Sequence, residues 1–449
     1  MANSRKSNPT DLAVQVAARL APHLPRDCRI QVGLSGGLDS VVLLHLLSRL
    51  APESGWQISA LHVHHGISPN ADDWAAFCAA CCATLKIPLN TVRVDVAPLR
   101  ERHGLEAAAR ILRHAAYAQS DSDFVALAHH ADDQAETLLL QLLRGSGVRG
   151  AAAMPFLSAP QNGSKLIRPL LAFSRQEILD YAQAQRLQWI EDESNADQHY
   201  ARNFLRHSVF PLLSQRFPAV QHTLARSAAH FAEAAELQDD LAALDARDAI
   251  NDGWLALPVL AQLSPARAKN LLRHFLQMRG APMPSAAQLQ EMLAQLASSR
   301  QDAAVCVDFA GWQLRRYRGR VWAEPEPPAC DPELQLRWQG ESELFWPPLG
   351  AKVRFDSVQG AGLSLAKLQH APVHLRLRQG AGHLRPHPGA RSRSLKNLLQ
   401  ESAMPPWQRA RFPLLYCGDQ LVCIPGVAVA AEFRAVPGES GVLPVLSVV

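Results

Sequence analysis

The stretch Ile30–Leu34 is apolar, and it runs without a break into Ser35-Gly36-Gly37-Leu38-Asp39-Ser40 and then into a helical pattern at Val41–Leu50. No other feature limits the chain as much. A strand, a glycine turn and a helix in immediate succession aim the free N–H groups and the positive dipole end of the helix at whatever occupies the turn, which favours an anion. The glycines allow a sharp turn and a close backbone approach. Ser35 and Ser40 supply hydroxyl donors for phosphate oxygens. Asp39 repels a phosphate, so its place in the turn implies either a cation between the two, such as Mg²⁺, or a group that Asp39 orients. The turn has neither the lysine of GxxxxGK[ST] nor the spacing of GxGxxG, which excludes phosphate loops of the Walker and Rossmann types.

Further strand patterns follow at Gln57–Val63, Asn90–Val94 and Asp123–Ala128, with helical patterns at Asp72–Lys86 and Glu106–Tyr117 between them. A strand plus a helix roughly every 30 residues predicts an α/β fold with a doubly wound, mostly parallel sheet. Such sheets bind ligands beyond the carboxyl ends of their strands, and the polar residues gather there. The second strand ends in His62-Val63-His64-His65-Gly66-Ile67. Its spacing suits a metal, yet no carboxylate or thiol stands at matching spacing. The expectation is therefore that His62 and His64 share one face and that His65 ends near a nucleotide, while Asp72 and Asp73 suit a helix N-terminus. The fourth strand ends in Ala128-His129-His130-Ala131-Asp132-Asp133-Gln134-Ala135-Glu136-Thr137. Either aspartate could cap the helix, but histidines and acids at a strand end in the same sheet as the glycine turn point to a site. Glu106, Arg110 and Arg113 fall on one helical face, as a solvated ion-pair face or as an arginine pair for phosphate. Gly145–Gly150 suits a loop that closes over substrate.

After Pro218 the pattern becomes helical and alanine-rich, with helices expected at Thr223–Ile250, Pro265–Arg279 and Ser285–Ser298 and a β-hairpin at Ala303–Ala323. The proline-rich run from Glu324 to Glu333 predicts a linker. With 449 residues the chain exceeds one core. The expected plan is an α/β domain at 1–217, a mostly helical domain at 218–325, a linker at 326–335 and a small α+β domain at 336–449, with one helix at Ser394–Ala403.

In chain order, SGGLDS, HVHHGIS, HHADDQAETLLLQLLRGSG, Ile167-Arg168-Pro169-Leu170, Trp189-Ile190-Glu191-Asp192-Glu193-Ser194-Asn195 and Arg202-Asn203-Phe204-Leu205-Arg206 resemble the motifs of the tRNA(Ile)-lysidine synthases. SGGLDS alone resembles the PP-loop of the N-type ATP pyrophosphatases, which cleave ATP between the α and β phosphates and pass AMP to an oxygen. The resemblance is close over the first 215 residues. It is looser through the middle to Leu395-Lys396-Asn397-Leu398-Leu399-Gln400-Glu401 and Pro405-Pro406-Trp407. Where that family often has a basic residue after the HHG turn, this chain has Ser68.

The resemblance implies an adenine nucleotide alpha hydrolase-like fold with a catalytic ATP-binding domain at 1–217, a substrate-binding domain at 218–325 and a tRNA-binding domain at 336–449. It implies adenylation of the C2 oxygen of the wobble cytidine in a CAU-anticodon isoleucine tRNA, then attack by free L-lysine. It assigns ATP binding to Ser35, Gly36, Gly37, Leu38, Asp39, Ser40 and His129, with Mg²⁺ at Asp39. Asp39, Asp133, Arg113 and Arg206 become the catalytic set, Asp133 being preferred over Asp132 by the family pattern alone. Arg110, Arg202 and Asn203 become substrate contacts. A homodimer is compatible with the resemblance.

The net charge of +4 says little by itself. Its distribution says more. Arg376, Arg378, His383, Arg385, His387, Arg391, Arg393, Lys396, Arg409 and Arg411 crowd together with Trp407, and Glu401 is the only acid among them up to Arg411. This is either a solvated basic face or a nucleic-acid contact, and we take Arg376, Arg378, Arg391, Arg393 and Lys396 as the expected tRNA contacts. The eight cysteines include Cys78, Cys81 and Cys82 on one helical pattern. They are expected to be structural thiols in a reducing cytoplasm, and no stretch is apolar and long enough to span a membrane. A second CxxC is missing, which weakens the alternative of a PP-loop tRNA thiolase. A non-catalytic RNA-binding protein on a degenerate PP-loop fold is disfavoured by the intact SGGLDS and HHADD.

Overall fold

Strands rich in valine, isoleucine and alanine on both faces bury both faces, and that requires helices above and below a parallel sheet. The computed structural model has this arrangement. It describes residues 9–158, 163–191, 199–298, 305–327, 329–378, 380 and 382–448; Asp192–Asn195 of the sequence motifs lie outside them. The chain divides into two units, Met1–Gln238 and Asp239–Val449.

The first unit opens with helix α1 (Pro9–Leu20), followed by β1 (Arg29–Gly33), α2 (Leu38–Ser54), β2 (Gln57–His64), α3 (Ala71–Leu85), β3 (Leu89–Arg93), α4 (Ala97–His103), α5 (Leu105–Ala118) and β4 (Phe124–Ala126). Helices α6 (Ala131–Leu143) and α7 (Val148–Ala151), strands β5 (Leu157–Ser158) and β6 (Lys165–Ile167) and helix α8 (Arg175–Ala184) complete its sheet. The strand order is β3-β2-β1-β4-β6-β5. All neighbours pair in parallel except β5, which runs antiparallel on the edge. Ile30, Val32, Val42, Leu43, Leu46 and Leu47 are buried in the main core with residues of α1 and α8.

The chain moves outward from β1 to β2 and β3, then returns to place β4 on the other side of β1, with Val32 opposite Ala126. The order therefore reverses between β1 and β4, and the crevice beyond their carboxyl ends is where open α/β sheets take ligands. Two departures from the sequence expectation sharpen that crevice. Helix α2 starts at Leu38, inside the glycine motif, so Asp39 and Ser40 lie in its first turn. Strand β4 stops at Ala126, freeing Leu127–His130 to leave the sheet before α6 begins.

Beyond α8 come α9 (Ala201–Phe204), a π-helical turn at Leu205–Val209, α10 (Phe210–Arg216) and the long helix α11 (Val220–Ala249). In the second unit the expected helices appear as Pro265–Met278 and Ala286–Ser298. The expected hairpin is a three-strand meander instead, Cys306–Phe309, Trp312–Tyr317 and Arg320–Pro325. Each of its two turns pairs a positive-φ residue with a positive-φ glycine, Ala310 with Gly311 and Arg318 with Gly319, the backbone that tight hairpins demand. The C-terminal part has a five-stranded and a four-stranded antiparallel sheet and the expected helix at Leu395–Glu401.

Trp407 and Arg409 have structural partners, which corrects their reading as part of the RNA surface. The Trp407 ring meets Tyr317 and Trp322 at centroid distances of 6.4 and 5.5 Å. Its Nε1–H donates to Glu324 at 3.0 Å, and Arg409 donates to the Tyr317 hydroxyl at 2.5 Å. Glu324 lies in the last strand of the meander, so these contacts tie that meander to the C-terminal sheets. Trp407→Ala should cost about 2 kcal/mol; thermal unfolding at the wild-type midpoint would show the contact to be idle.

Candidate active site

Helix α2 has Gly37 at its N-cap with no side-chain cap, so its leading N–H groups are open to a ligand. The glycine motif folds on itself around the serines. Ser40 Oγ donates to the Gly37 carbonyl at 2.9 Å, lies 3.1 Å from Ser35 Oγ, and accepts the Ser35 N–H at 3.2 Å. Gly36 has φ +87°, and a Cβ there would meet Ile190 Cδ1 at 2.8 Å and Cys78 Sγ at 3.2 Å. Only glycine fits. The Ile190 N–H also donates to the Gly36 carbonyl at 2.9 Å, so the Trp189-Ile190 segment supports the turn from behind. Leu38 is buried, which leaves its backbone as the part available to a ligand.

His130 joins this turn to α6. It is the N-cap of α6, and its Nδ1 accepts the Asp133 N–H while Asp133 Oδ2 accepts the His130 N–H, a reciprocal capping box. With Nδ1 accepting, a neutral ring carries its proton on Nε2. That atom lies 3.7 Å from Asp39 Oδ2 and 3.5 Å from Asp133 Oδ2. Asp39 and Asp133 therefore face one space with His130 between them.

Behind Asp133 stands an ionic lattice of two buried acids and two half-buried guanidiniums. Glu136, one helical step along α6, accepts from Arg202 Nε at 2.6 Å and Arg206 Nε at 2.7 Å. The same two guanidiniums reach Asp133 Oδ1 at 3.0 and 3.2 Å. Arg202 comes from α9 and Arg206 from the π-helical turn, whose extra residue is a common feature of functional helices. Asn203 lies half-buried beside Arg202. Asp132 is separate: its Oδ1 accepts the backbone N–H of Arg175, the first residue of α8, at 3.1 Å.

The electrostatics differ between the two acids. Burial pushes the Asp39 carboxyl above its usual range, and Asp133 adds to this; His130, Arg175 and Arg206 pull the other way. Burial would also raise Asp133, but His130, Arg202 and His129 outweigh it and hold that carboxyl below the usual range. Asp133 is thus ionised at neutral pH. His129 does not join His130. Burial drives its pKa down to about 3 against the pull of Asp133, with Arg168, Arg202 and Arg110 around it, and its Nδ1 is buried without a partner among the described residues. His65 is similarly neutral, its pKa lowered to about 4 by burial and by Arg113. Arg110 and Arg113 are exposed on α5 and look toward these histidines; the Asp39–His130–Asp133 contacts do not include them.

The histidines of the second strand have the carboxylate and thiol that sequence spacing did not reveal. His62 Nδ1 lies 2.9 Å from the Leu34 carbonyl and 3.6 Å from Cys78 Sγ. His64 Nε2 lies 3.2 Å from Asp72, which also accepts from Arg93 at 2.7 Å. Asp72 thus does more than lead a helix. Burial pushes the thiols of Cys78 and Cys82 up to about 12 and about 11, so they are protonated and inert at neutral pH.

With this geometry in view, comparison with known proteins is decisive. Family models match in order: a PP-loop domain over residues 10–213, a TilS substrate binding domain over 255–322 and a TilS substrate C-terminal domain over 373–446. A tRNA(Ile)-lysidine synthase of Nitrosomonas europaea is 41% identical over 99% of this chain and 97% of its own length. One from Aromatoleum aromaticum is 46% identical over 95% and 98%. The chain belongs to the tRNA(Ile)-lysidine synthase family. Among solved structures, a U34-tRNA thiolase from Methanococcus maripaludis is 20% identical, over 50% of this chain and 79% of that one, with a TM-score of 0.43.

In the lysidine synthase C-terminal region, the five basic residues singled out by sequence divide. Arg376 lies 5.5 Å from the Tyr416 ring centre and 3.5 Å from Asp419. Arg378 donates to the Gly380 carbonyl at 3.0 Å, and Arg393 pairs with Glu401. Arg391 and Lys396 are exposed, with no ion pair among the described residues. Among the described residues no helix is long and apolar enough to cross a membrane.

Asp39 gives a pH test. Its folded pKa is raised, so ionising it costs stability; the cost is absent below the unfolded value of about 3.9 and fully present above the folded one. Asp39→Asn should raise the melting temperature at neutral pH, with the gain vanishing below about pH 4, while turnover falls about 100-fold or more. An equal gain at both pH values would refute the assignment.

Proposed function

We propose that the chain uses ATP to adenylate the C2 oxygen of the wobble cytidine in a CAU-anticodon isoleucine tRNA, and then joins free L-lysine to C2. The oxygen attacks the α phosphorus, the bond to the β phosphate breaks, and pyrophosphate leaves with the electron pair. Attack by the lysine ε-amine then expels AMP and gives lysidine, which pairs with A rather than G. Codon reading changes from AUG to AUA and charging from methionine to isoleucine. The reaction runs in the cytoplasm, where tRNA and ATP are at hand. One observation carries this reading: Asp39, His130 and Asp133, with Arg202 and Arg206, converge beside an uncapped helix start at the sheet's switch point.

A C2 oxygen is a poor leaving group until it carries AMP. Developing charge on the pyrophosphate must be met by fixed positive groups, which the open N–H groups of α2 and Arg206 supply. Asp133, kept ionised, accepts hydrogen bonds and can receive an ammonium, but it has no proton to donate. Mg²⁺ suits Asp39. Among the described residues the Oδ1 atom of Asp39 is buried without a partner, and no three His, Cys, Asp or Glu gather as a metal cage. Mg²⁺ is held in nucleotide sites by one or two carboxylates together with phosphates. Asp39 would hold the ion, which supplies neutralising charge to the polyphosphate. Arg110 and Arg113, exposed beside neutral His129 and His65, would clamp phosphate or substrate.

We assign ATP chemistry to residues 1–217 and tRNA-body contacts to 336–449, with 218–325 between. Incubation with ATP, labelled lysine and bulk bacterial tRNA should place the label in one isoleucine tRNA; label in no tRNA, or sulfur transfer in its place, would overturn the proposal. For the C-terminal surface, Arg391→Ala with Lys396→Ala should flatten the slope of log K against log salt by about 1 to 2 and leave ATP affinity unchanged. An unaltered slope would remove both residues from the RNA contact.

A further inference from the structure

Arg175 is the first residue of α8. The positive end of a helix dipole disfavours a cation there, and among the described residues its exposed guanidinium makes no hydrogen bond or ion pair. The start of α8 is nevertheless held firmly. Ser174 and Glu177 form a capping box, with the Glu177 N–H donating to Ser174 Oγ and Glu177 accepting the Ser174 N–H at 2.8 Å. The Ala131 N–H of α6 donates to the Phe173 carbonyl at 2.8 Å, and Asp132 Oδ1 takes the Arg175 N–H at 3.1 Å. Helices α6 and α8 thus start side by side, Asp132 Oδ1 lying 3.9 Å from His130 Nδ1. His130 in turn faces Asp39.

We propose that Arg175 takes the pyrophosphate leaving group of ATP, and that Asp132 is a positioning residue that holds the first turn of α8 where Arg175 can do so. An unpaired cation at a disfavoured helix position, its backbone fixed by a carboxylate that itself neighbours His130, is explained by an anion that arrives from outside. A triphosphate or pyrophosphate has the charge and reach to bridge the open start of α2 and the start of α8. The two aspartates then divide the work. Asp133 anchors Arg202 of α9 and Arg206 of the π-helical turn, and Asp132 sets the arginine of α8. The inference rests on the α–β cleavage proposed above, but its binding arm needs neither tRNA nor lysine.

The test is calorimetric titration of the full chain with inorganic pyrophosphate and, separately, with AMP. Arg175→Ala should weaken pyrophosphate binding about 10- to 100-fold, leave AMP binding at the wild-type value, and slow tRNA-dependent pyrophosphate release. Asp132→Ala should weaken pyrophosphate in the same direction, Asp132→Asn, which keeps the accepting oxygen, should restore most of it, and the Asp132→Ala/Arg175→Ala double variant should be no worse than Arg175→Ala alone. Unchanged pyrophosphate affinity in Arg175→Ala overturns the proposal for the arginine. Additive losses in the double variant, or a lowered melting temperature with normal pyrophosphate affinity in Asp132→Ala, overturn the positioning role. Loss of lysine ligation in all forms with the pyrophosphate pattern intact would count against the proposed reaction alone.

Discussion

The contact of His130 with both Asp39 and Asp133 is the interaction on which the rest depends. One acid belongs to the helix after β1, the other to the helix after β4, and the two strands are neighbours only because the sheet reverses its order there. A single imidazole, fixed in orientation by capping its own helix, spans the gap. Its role as an N-cap and its role between carboxylates use different nitrogens, so the fold's requirement for a helix start and the site's requirement for a polar bridge are met by one side chain. Mutation of that residue would therefore disturb both, and a loss of activity there has to be read together with stability.

Charge is distributed in the site by depth. Glu136 and Asp133 are buried with two guanidiniums in a lattice that closes on itself, which buried ions require if they are not to be lost to protonation. Asp39 sits nearer the opening with an oxygen unmatched, and its carboxyl is raised rather than lowered. The closed lattice fixes geometry. The unmatched oxygen and the open N–H groups of α2 are what an incoming ligand can satisfy.

Much of this was legible in the sequence. The alternation of apolar runs with helical patterns marked the parallel sheet, and the polar residues after β1 and β4 marked the crevice. The choice between neighbouring histidines was harder to read. His129 and His130 are adjacent in an extended segment, and nothing in their order says that His130 is the one beside Asp39. Glu136 was counted among the acids of that strand end but given no role, although it stands three residues after Asp133, a spacing that puts both on one helical face. Arg175 was missed although Ser174-x-x-Glu177 is a capping-box pattern that fixes the start of a helix, and a cation just inside such a start is an anomaly with a meaning. Trp407 was misread because an aromatic among basic residues suits RNA stacking as well as it suits packing, and only the position of the Tyr317–Trp322 strand pair separates the two.

The π-helical turn at Leu205–Val209 has a consequence for how this region can vary. There the Phe210 N–H bonds to the Leu205 carbonyl, five residues back instead of four. Arg206 lies inside the widened turn and Arg202 lies before it, so their relative aim is set by a count of residues as much as by their chemistry. Dropping one residue would return the turn to ordinary α geometry and change where Arg206 stands within it relative to Arg202. Substitutions at the exposed positions of this segment leave that count intact. A single-residue deletion would not, and length is therefore the property that descent must preserve here even where side chains drift.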